Sequence, residues 1–472
     1  MLKKTKIVAT ISDLRCDVEF IKSLYENGMN VVRLNTAHQS FEDTLKIINN
    51  VRKVSDRIAL MLDTKGPEIR TTSSDYKVAL NKGDRIKMKG DASKNTTPDC
   101  IYVNYNNFVD EVSLQTSVLI DDGEIELKVV EKKEDFLIME AVNEGLIKGK
   151  KSINVPNASF HLPALSSKDR DYINFAVEHD LDFIAHSFVR SKEDVLEIQT
   201  ILDSQNSKVK IIAKIENQEG VDHIDEILQY VYGVMVARGD LAIEIPCEKI
   251  PGIQKMIINK CIDARKPVII ATQMLHSMIE NPRPTRAEVS DVANAIYSKT
   301  DAIMLSGETA FGQYPVEAVQ TMAKIAVEVE KSRGDIHKTP LFIASSRTSA
   351  YLSKSAVEAS LGLDCKAIIA DTTTGRTIRN AAGFRGRKVI FAECYDSRVM
   401  RELALSFGVY TYFVEDGISH KFIPQALITL LKDGLLQKED KVVIMGGNFQ
   451  WDQGATFIEI NTVENLMRLG RC

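Results

Sequence analysis

The stretch VKIIAKIENQEGVDHIDEILQYVYGVMVARGD, residues 209–240, decides how the chain reads. It opens on a β-branched run, Val209–Lys214, continues through a segment of helical length, Val221–Tyr230, and closes on a second apolar run, Gly233–Ala237. Strand, helix and strand in this order are the repeating unit of a parallel sheet wrapped by helices. The same alternation extends both ways. Further strands are predicted at Ile7–Ala9, Val31–Leu34, Ile58–Leu62, Phe183–Ala185, Val268–Ala271 and Ala302–Leu305. Helices are predicted at Val18–Asn27, ended by Gly28, and at Phe41–Val54, where Ser40 and Asp43 make a start like a capping box. Others are Lys192–Ser204, Ile253–Lys266, Arg286–Tyr297 and Pro315–Glu330. Roughly eight such units close a (β/α)8 TIM barrel, an α/β fold.

Between Thr71 and Leu162 the helical period disappears, and short strands with Gly, Asn and Asp turns take over: Lys77–Leu80, Asp84–Lys89, Ile101–Val103, Val118–Ile120, Glu124–Val130 and Phe136–Ala141. This is expected to be a small β-barrel lid domain, inserted after the third strand at the end of the barrel where active sites sit. After a polar, basic stretch at Lys331–Pro340, a second α/β pattern runs through Ala367–Ala370, Val389–Ala392, Val409–Val414, Val442–Met445 and Phe457–Ile460. The expected organisation is a discontinuous barrel over 1–70 and 163–338, a lid over 71–162, and a C-terminal α/β regulatory domain over 339–472.

The composition, 44% hydrophobic and 26% charged over 472 residues, is that of a globular chain with ample core. A formal charge of -5 offers no basic field for a phosphate backbone, so nucleic acid is not an expected partner. The 7 cysteines are odd in number and scattered, and read as reduced thiols. The amino terminus does not read as a secretory leader and no stretch approaches the roughly 20 apolar residues of a membrane span, so a cytoplasmic location without a membrane partner is expected.

Function in a barrel comes from residues just past the C-terminal ends of its strands. Strand by strand these are Arg33 and Asn35; Asp63, Thr64 and Lys65; Ser187; Lys214 and Glu216; Arg238, Gly239 and Asp240; Thr272 and Gln273; Ser306, Gly307 and Glu308. Glu216 and Asp240 leave neighbouring strands, so their carboxylates can converge on one hard divalent cation such as Mg2+; the alternative is an ion pair with Lys214 or Arg238. Lys214 and Glu216 are two residues apart and so point to the same face of a strand. A cation and a metal ligand in one pocket suit charge neutralisation on a transferring phosphoryl group. Gly239 allows close backbone approach, and N–H groups in such a turn can hold a carboxylate or phosphate. Gly145–Ser152 looks like a P-loop but has the wrong spacing and lies within the β insertion, where it reads as a turn with solvated lysines. GxGxxG, HExxH and GxSxG are absent, and the His residues form no metal-spaced cluster.

At these residues the chain resembles the pyruvate kinase family along essentially its whole length. The resemblance rests on Met29–Asn35, Asp63–Arg70, Ile212–Asn217, Val236–Leu241, Ala271–Leu275, Pro282–Glu288 and Met304–Thr309, which follow in family order. It implies transfer of phosphate from phosphoenolpyruvate to ADP, giving pyruvate and ATP, with Mg2+ (or Mn2+) and usually K+. It further implies that Lys214 neutralises the transferring group, that Glu216 and Asp240 hold Mg2+, and that Thr272 positions the water network protonating the enolate. Arg33 would contact the phosphate, with Ser187 and Gly239 completing the substrate set. Asn35, Asp63 and Thr64 would hold K+, while Asn35, His38, Arg70 and Lys168 would meet the nucleotide.

The chain departs from the family in places. Ala37 stands where the family has a serine that ligates K+, yet Glu68, which accompanies K+ dependence in the family, is kept; a retained but weakened K+ requirement is expected. Ile11–Cys16 replaces a Gly-Pro stretch, and His276 replaces a common Glu. In the C-terminal region Thr372, Thr373, Thr374, Gly375, Arg376 and Thr377 form a hydroxyl-rich loop opening a helix, similar to the family's effector phosphate loop and equally readable as an N-cap turn. The Gly446–Gly454 segment lacks a basic partner for a second phosphate, which favours a phosphorylated allosteric effector smaller than a bisphosphate. The resemblance also implies a homotetramer. Rival readings are a metal-dependent enolpyruvate aldolase or lyase on a barrel and an inactive sugar-phosphate sensor.

Overall fold

The computed structural model describes residues 2–332 except 38, 157 and 159, then 341, 346–415, 422–447 and 454–468. Eight parallel strands close a barrel: β1 (Lys6–Ile11), β2 (Val31–Asn35), β3 (Ala59–Asp63), β4 (Phe183–His186), β5 (Lys210–Ile215), β6 (Gly233–Ala237), β7 (Val268–Ala271) and β8 (Ala302–Leu305). All eight coincide with the apolar runs read from the sequence. Alternation along each strand sorts side chains into two layers. Ile7, Leu60, Ile184, Ala213 and Val234 face the helices, whereas Val31, Met61, Ala185, Ile212 and Met235 fill the barrel. The inward row, continued two residues at a time, reaches Arg33 and Asn35 from Val31, Asp63 from Met61, Ser187 from Ala185, and Lys214 and Glu216 from Ile212. Register does the rest, aligning Asn35 with Asp63 and Asp63 with Ala185.

Helices at Phe41–Val54, Lys192–Ser204 and Arg286–Tyr297 match their predicted spans. The expected Val221–Tyr230 helix is two, Gln218–Asp222 and Ile224–Tyr230, because Asn217 caps an early start and the chain breaks at His223. The helix Ser167–Glu178 was absent from the sequence reading. Its run of charged residues hides the apolar stripe of Tyr172, Ile173 and Ala176, but its Ser166–Asp169 capping box was a usable signal.

The insertion holds a six-stranded sheet and a two-stranded one, Val78–Leu80 with Gly145–Ile147, round one hydrophobic core. Bridges from Arg70 to Ser152 and from Thr71 to Val103 tie the opposite edges of the larger sheet to the chain where it enters the insertion. Gly145–Ile147 is therefore a strand, correcting the reading of Gly145–Ser152 as a turn; only Gly149 and Lys150 turn there. Lys151 is not free in solvent, since it pairs with Asp121 at 2.5 Å.

Beyond the barrel, a five-stranded sheet runs in the order Val409–Phe413, Val389–Cys394, Ala367–Thr372, Lys441–Gly446, Phe457–Thr462, its last strand antiparallel, with apolar cores on both faces. Arg385 reaches back to Asp301 at the base of the barrel, 2.7 Å away, and Arg401 to Asp182 at 2.6 Å. The six cysteines among the described residues are free thiols. No described helix is long and apolar enough to cross a membrane.

Candidate active site

A cavity of about 660 Å³ lies between the strand ends and the insertion. Arg33, Asn35, Asp63, Thr64, Ser187, Lys214, Glu216 and Asp240 line it from the barrel; Asn95, Asn104, Asp122 and Lys150 line it from the insertion. Lys214 occupies its floor, with Nζ donating to Ser187 Oγ at 2.7 Å and lying 2.9 Å from Glu216 Oε1 and 3.1 Å from Asp63 Oδ1. Burial opposes its charge, but Asp63 and Glu216 overrule burial and hold the ammonium protonated, above the ordinary lysine range. Asp63 also takes Arg33 Nε at 2.5 Å; burial would raise its carboxyl, and the two cations instead hold it low.

Glu216 differs. Burial, opposed by Lys214 and reinforced by Asp240, pushes its carboxyl up to about 7, although the Phe188 N–H donates to Oε2 at 2.7 Å. The side chain of Asp240 makes no hydrogen bond or ion pair with any described residue, and Arg238 turns away to Asp291 at 2.8 Å. Three carboxyl groups, Asp63, Glu216 and Asp240, gather beside Lys214 and Arg33, although over the whole cavity five acidic and five basic side chains balance. Carboxyl oxygens from Glu216 and Asp240 are the donor chemistry of a hard divalent ion completed by substrate and water. No cluster of three or more His, Cys, Asp or Glu that would hold a metal by itself lies among the described residues. Of the alternatives for Glu216 and Asp240, the pairing of Glu216 with Lys214 is present and that of Asp240 with Arg238 is not.

Thr272 stands beside this pocket without lining the cavity. Its φ of 67° and that of Gln273, 55°, are both left-handed, and for a β-branched residue this is a strained conformation of the kind that collects at functional sites. Three hydrogen bonds hold it: Gly239 N–H donates to Oγ1 at 2.8 Å, Oγ1 donates to the Ala271 carbonyl at 2.6 Å, and Arg238 Nη2 donates to the Thr272 carbonyl at 2.7 Å. A Cβ at Gly239 would meet Thr272 Oγ1 at an ordinary 3.5 Å, so the glycine relieves no clash. It leaves its face open.

The residues expected to hold K+ are engaged with protein. Asn35 Oδ1 accepts from the Ala37 N–H at 3.2 Å; Thr64 Oγ1 donates to the Ala185 carbonyl at 3.3 Å and accepts from Ser187 N–H at 3.1 Å. Of the nucleotide set, Arg70 lines the cavity, with Nε 2.6 Å from Glu68 and Nη1 2.8 Å from the Lys150 carbonyl. Lys168 lies outside the lining and donates to the Thr36 carbonyl at 2.8 Å. His38 lies outside the described residues. Glu308 is structural, accepting from Leu275 N–H at 3.2 Å and Ser306 N–H at 2.8 Å. The residues contributed by the insertion escaped the sequence reading, because hairpin positions carry no strand-end signal.

In the C-terminal sheet, Gly375 at φ 73° donates its N–H to Thr372 Oγ1 at 2.8 Å, just before the helix Arg376–Gly383; Thr373 and Thr374 are exposed. Residues 448–453, the middle of the Gly446–Gly454 segment, lie outside the described residues.

A barrel whose strand ends gather a buried lysine, Arg33 and three carboxyl groups beneath an inserted cover has the charge layout suited to a phosphotransferase. Comparison with known proteins gives the particular family. The family model described as pyruvate kinase, barrel domain, matches residues 2–319, and the pyruvate kinase alpha/beta domain matches 350–460. A pyruvate kinase of Borreliella burgdorferi is 51% identical over 472 residues, covering 99% of this chain and 98% of that one. One of Geobacillus stearothermophilus is 42% identical, covering 100% and 82%. The crystal structure of a pyruvate kinase from Cryptosporidium parvum superposes with a TM-score of 0.91 at 36% identity, covering 98% of this chain and 96% of that one. The chain belongs to the pyruvate kinase family, enzymes that transfer the phosphoryl group of phosphoenolpyruvate to ADP in the final step of glycolysis and generally need a divalent metal and K+.

Proposed function

We propose that this chain carries out the family reaction with Lys214 as the group that neutralises the phosphoryl group in flight. The observation that carries this is the lysine itself: buried, protonated, and held by Asp63, Glu216 and Ser187 while Asp240 beside it stays unpaired. Phosphoryl transfer leaves a protein mostly positioning and electrostatic work. Arg33, fixed by Asp63 and Thr10, is placed to grip the phosphate of phosphoenolpyruvate. Glu216 and Asp240 are the residues that would hold Mg2+ or Mn2+, which when bound neutralises phosphate and enolate oxygen charge. Thr272 orders the proton donor to the enolate, and the Gly239 face receives the substrate carboxylate.

ADP enters under the insertion, with Arg70 and Lys168 meeting its phosphates and Asn35 also meeting the nucleotide; His38, of the same set, lies outside the described residues. K+ acts through Asn35, Asp63 and Thr64, and Thr372–Thr377 receives a phosphorylated effector. We assign the barrel to 1–70 and 163–338, the lid to 71–162 and the regulatory domain to 339–472, within a homotetramer located in the cytoplasm. The test is pyruvate formation from phosphoenolpyruvate, assayed with and without ADP, Mg2+ and K+. Loss of turnover without ADP or Mg2+ is expected. Consumption of phosphoenolpyruvate without ADP would instead mark an aldolase or lyase, and no turnover at all an inactive sensor.

A further inference from the structure

A short loop that follows β4, Ser187 to Arg190, touches both the phosphoryl site and the insertion. Its first half belongs to the site. Ser187 Oγ accepts from Lys214 Nζ at 2.7 Å, and Phe188 N–H donates to Glu216 Oε2 at 2.7 Å. Phe188 reaches that bond with a left-handed backbone, φ 56°, a costly conformation for a bulky residue that persists only where the surroundings fix it. Neighbouring elements supply the fixing. The Val189 carbonyl lies so close to the helix Gln218–Asp222 that a Cβ at Gly220 would come within 2.4 Å of it, and His223 Nδ1 donates to the Arg190 carbonyl at 2.9 Å.

The last residue of the loop grips the insertion. Arg190 Nη1 donates to the Phe160 carbonyl at 3.0 Å and Nη2 to the Leu162 carbonyl at 2.9 Å, where the chain returns from the insertion to the barrel. A planar guanidinium holds its donors in a rigid fork, and here one fork spans both carbonyls. The side chains of the same two residues pack on the core of the insertion, with Phe160 stacked on Phe108 at 5.9 Å, and between them His161 N–H donates to Glu111 Oε2 at 3.2 Å. The segment is thus built into the insertion and fastened to the barrel. Asp194 mounts the fork, taking Arg190 Nε at 3.1 Å, Nη2 at 3.0 Å and the Arg190 N–H at 2.9 Å. The chain entering the insertion meets the same loop, since a Cβ at Gly66 would lie 2.8 Å from Phe188 Cδ2. Asp169 ties entry to exit: its Oδ1 accepts from Lys65 N–H at 2.9 Å and its Oδ2 from Ser166 N–H at 3.0 Å.

We propose that Arg190 is a positioning residue for phosphoryl transfer: it latches the returning chain of the insertion to the loop that holds Lys214 and Glu216, so that the seat of the insertion over the nucleotide and the alignment of those two groups are set together. This rests on the reading that ADP enters under the insertion. Arg190 itself does not line the cavity, so it acts through its neighbours. Without the fork, Phe160 and Leu162 lose this hold on the barrel, and Phe188 loses an anchor that keeps its N–H on Glu216.

The test uses the whole chain with Arg190→Lys, which keeps a cation for Asp194 but cannot span two carbonyls. The KM for ADP is expected to rise about ten-fold and kcat to fall about ten-fold, while the KM for phosphoenolpyruvate stays within about two-fold. A loss of fold stability alone would lower the amount of active enzyme and leave both KM values in place. Amide hydrogen exchange, read without substrates, is expected to quicken at residues 160–166 and at Phe188 and Val189 while the barrel strands keep their protection. This second arm is independent of the reaction, so a parent chain without turnover would refute the reaction and the exchange would still decide the latch. Should Arg190→Lys not fold, Asp194→Asn, which loosens the mount and keeps every donor of the fork, carries the same expectations at smaller amplitude. A KM for ADP that rises no more than that for phosphoenolpyruvate, or exchange at residues 160–166 equal to that of the parent chain, would each overturn the assignment.

Discussion

The ammonium of Lys214 lies 2.9 Å from Glu216 Oε1, two residues further along the same inward-facing row. The carboxylate proposed to hold the metal and the cation proposed to neutralise the phosphoryl group therefore already form a pair. Replacing the lysine should remove a contact that matters most when charge develops on the transferring group. Lys214→Met is expected to lower kcat by about a thousand-fold or more, measured with saturating phosphoenolpyruvate, ADP and Mg2+. Near-normal turnover in a folded variant would remove Lys214 from the reaction.

The proposed potassium dependence is tested at Ala37. Its methyl offers no ligand oxygen, and its N–H occupies Asn35 Oδ1 at 3.2 Å. Activity is expected to be higher in K+ than in tetramethylammonium at equal ionic strength. Ala37→Ser, which restores an oxygen, should lower the K+ concentration for half-maximal rate severalfold. Equal rates in the two cations would show that the requirement is lost.

The barrel was legible because its signal is repetitive: eight apolar runs, each buried on both faces, leave little room for another period. That Arg33, Asp63, Ser187, Lys214 and Glu216 would meet in one cavity was legible for the same reason, since the closed barrel brings its strand ends together. Which of those polar residues are structural was not legible. Glu308 caps backbone N–H groups of Leu275 and Ser306, a role set by loop geometry that no spacing encodes. The same limit hid Asn104 and Lys150, which reach the cavity only because the insertion folds over it, and the helix Ser167–Glu178, where charge masks periodicity.

His186 should make the fold acid-sensitive. It is 1% exposed, both ring nitrogens lack partners, and burial, only partly opposed by Asp194 and Asp169, pushes it down to about 4 from an ordinary 6.5. Arg190 and Lys214 act in the same direction as burial. The unfolded chain takes up this proton near pH 6.5 and the folded one only near pH 4, so stability is lost as pH falls through that window, by up to about 3 kcal/mol. Denaturant titrations from pH 7.5 to pH 4.5 should show a shallower decline in His186→Ala than in the parent chain, even though the variant starts less stable. Parallel declines would assign the acid sensitivity to other groups.

Thr272 joins backbone strain to the part in proton delivery proposed for it, and the two can be separated. Its left-handed backbone is held by the hydroxyl, which bonds Gly239 N–H at 2.8 Å and the Ala271 carbonyl at 2.6 Å. Thr272→Ser keeps those bonds and removes the β-branch that makes the conformation costly, so it should retain activity within a few-fold and be no less stable. Thr272→Ala removes the hydroxyl and frees Gly239, whose N–H helps set the face beside Asp240. Its kcat is expected to fall about a hundred-fold or more, the usual scale for losing organised proton transfer, with KM for phosphoenolpyruvate changing far less. If the serine variant fell as far as the alanine one, the methyl packing of Thr272 would be its contribution, and the hydroxyl would have no part in proton delivery.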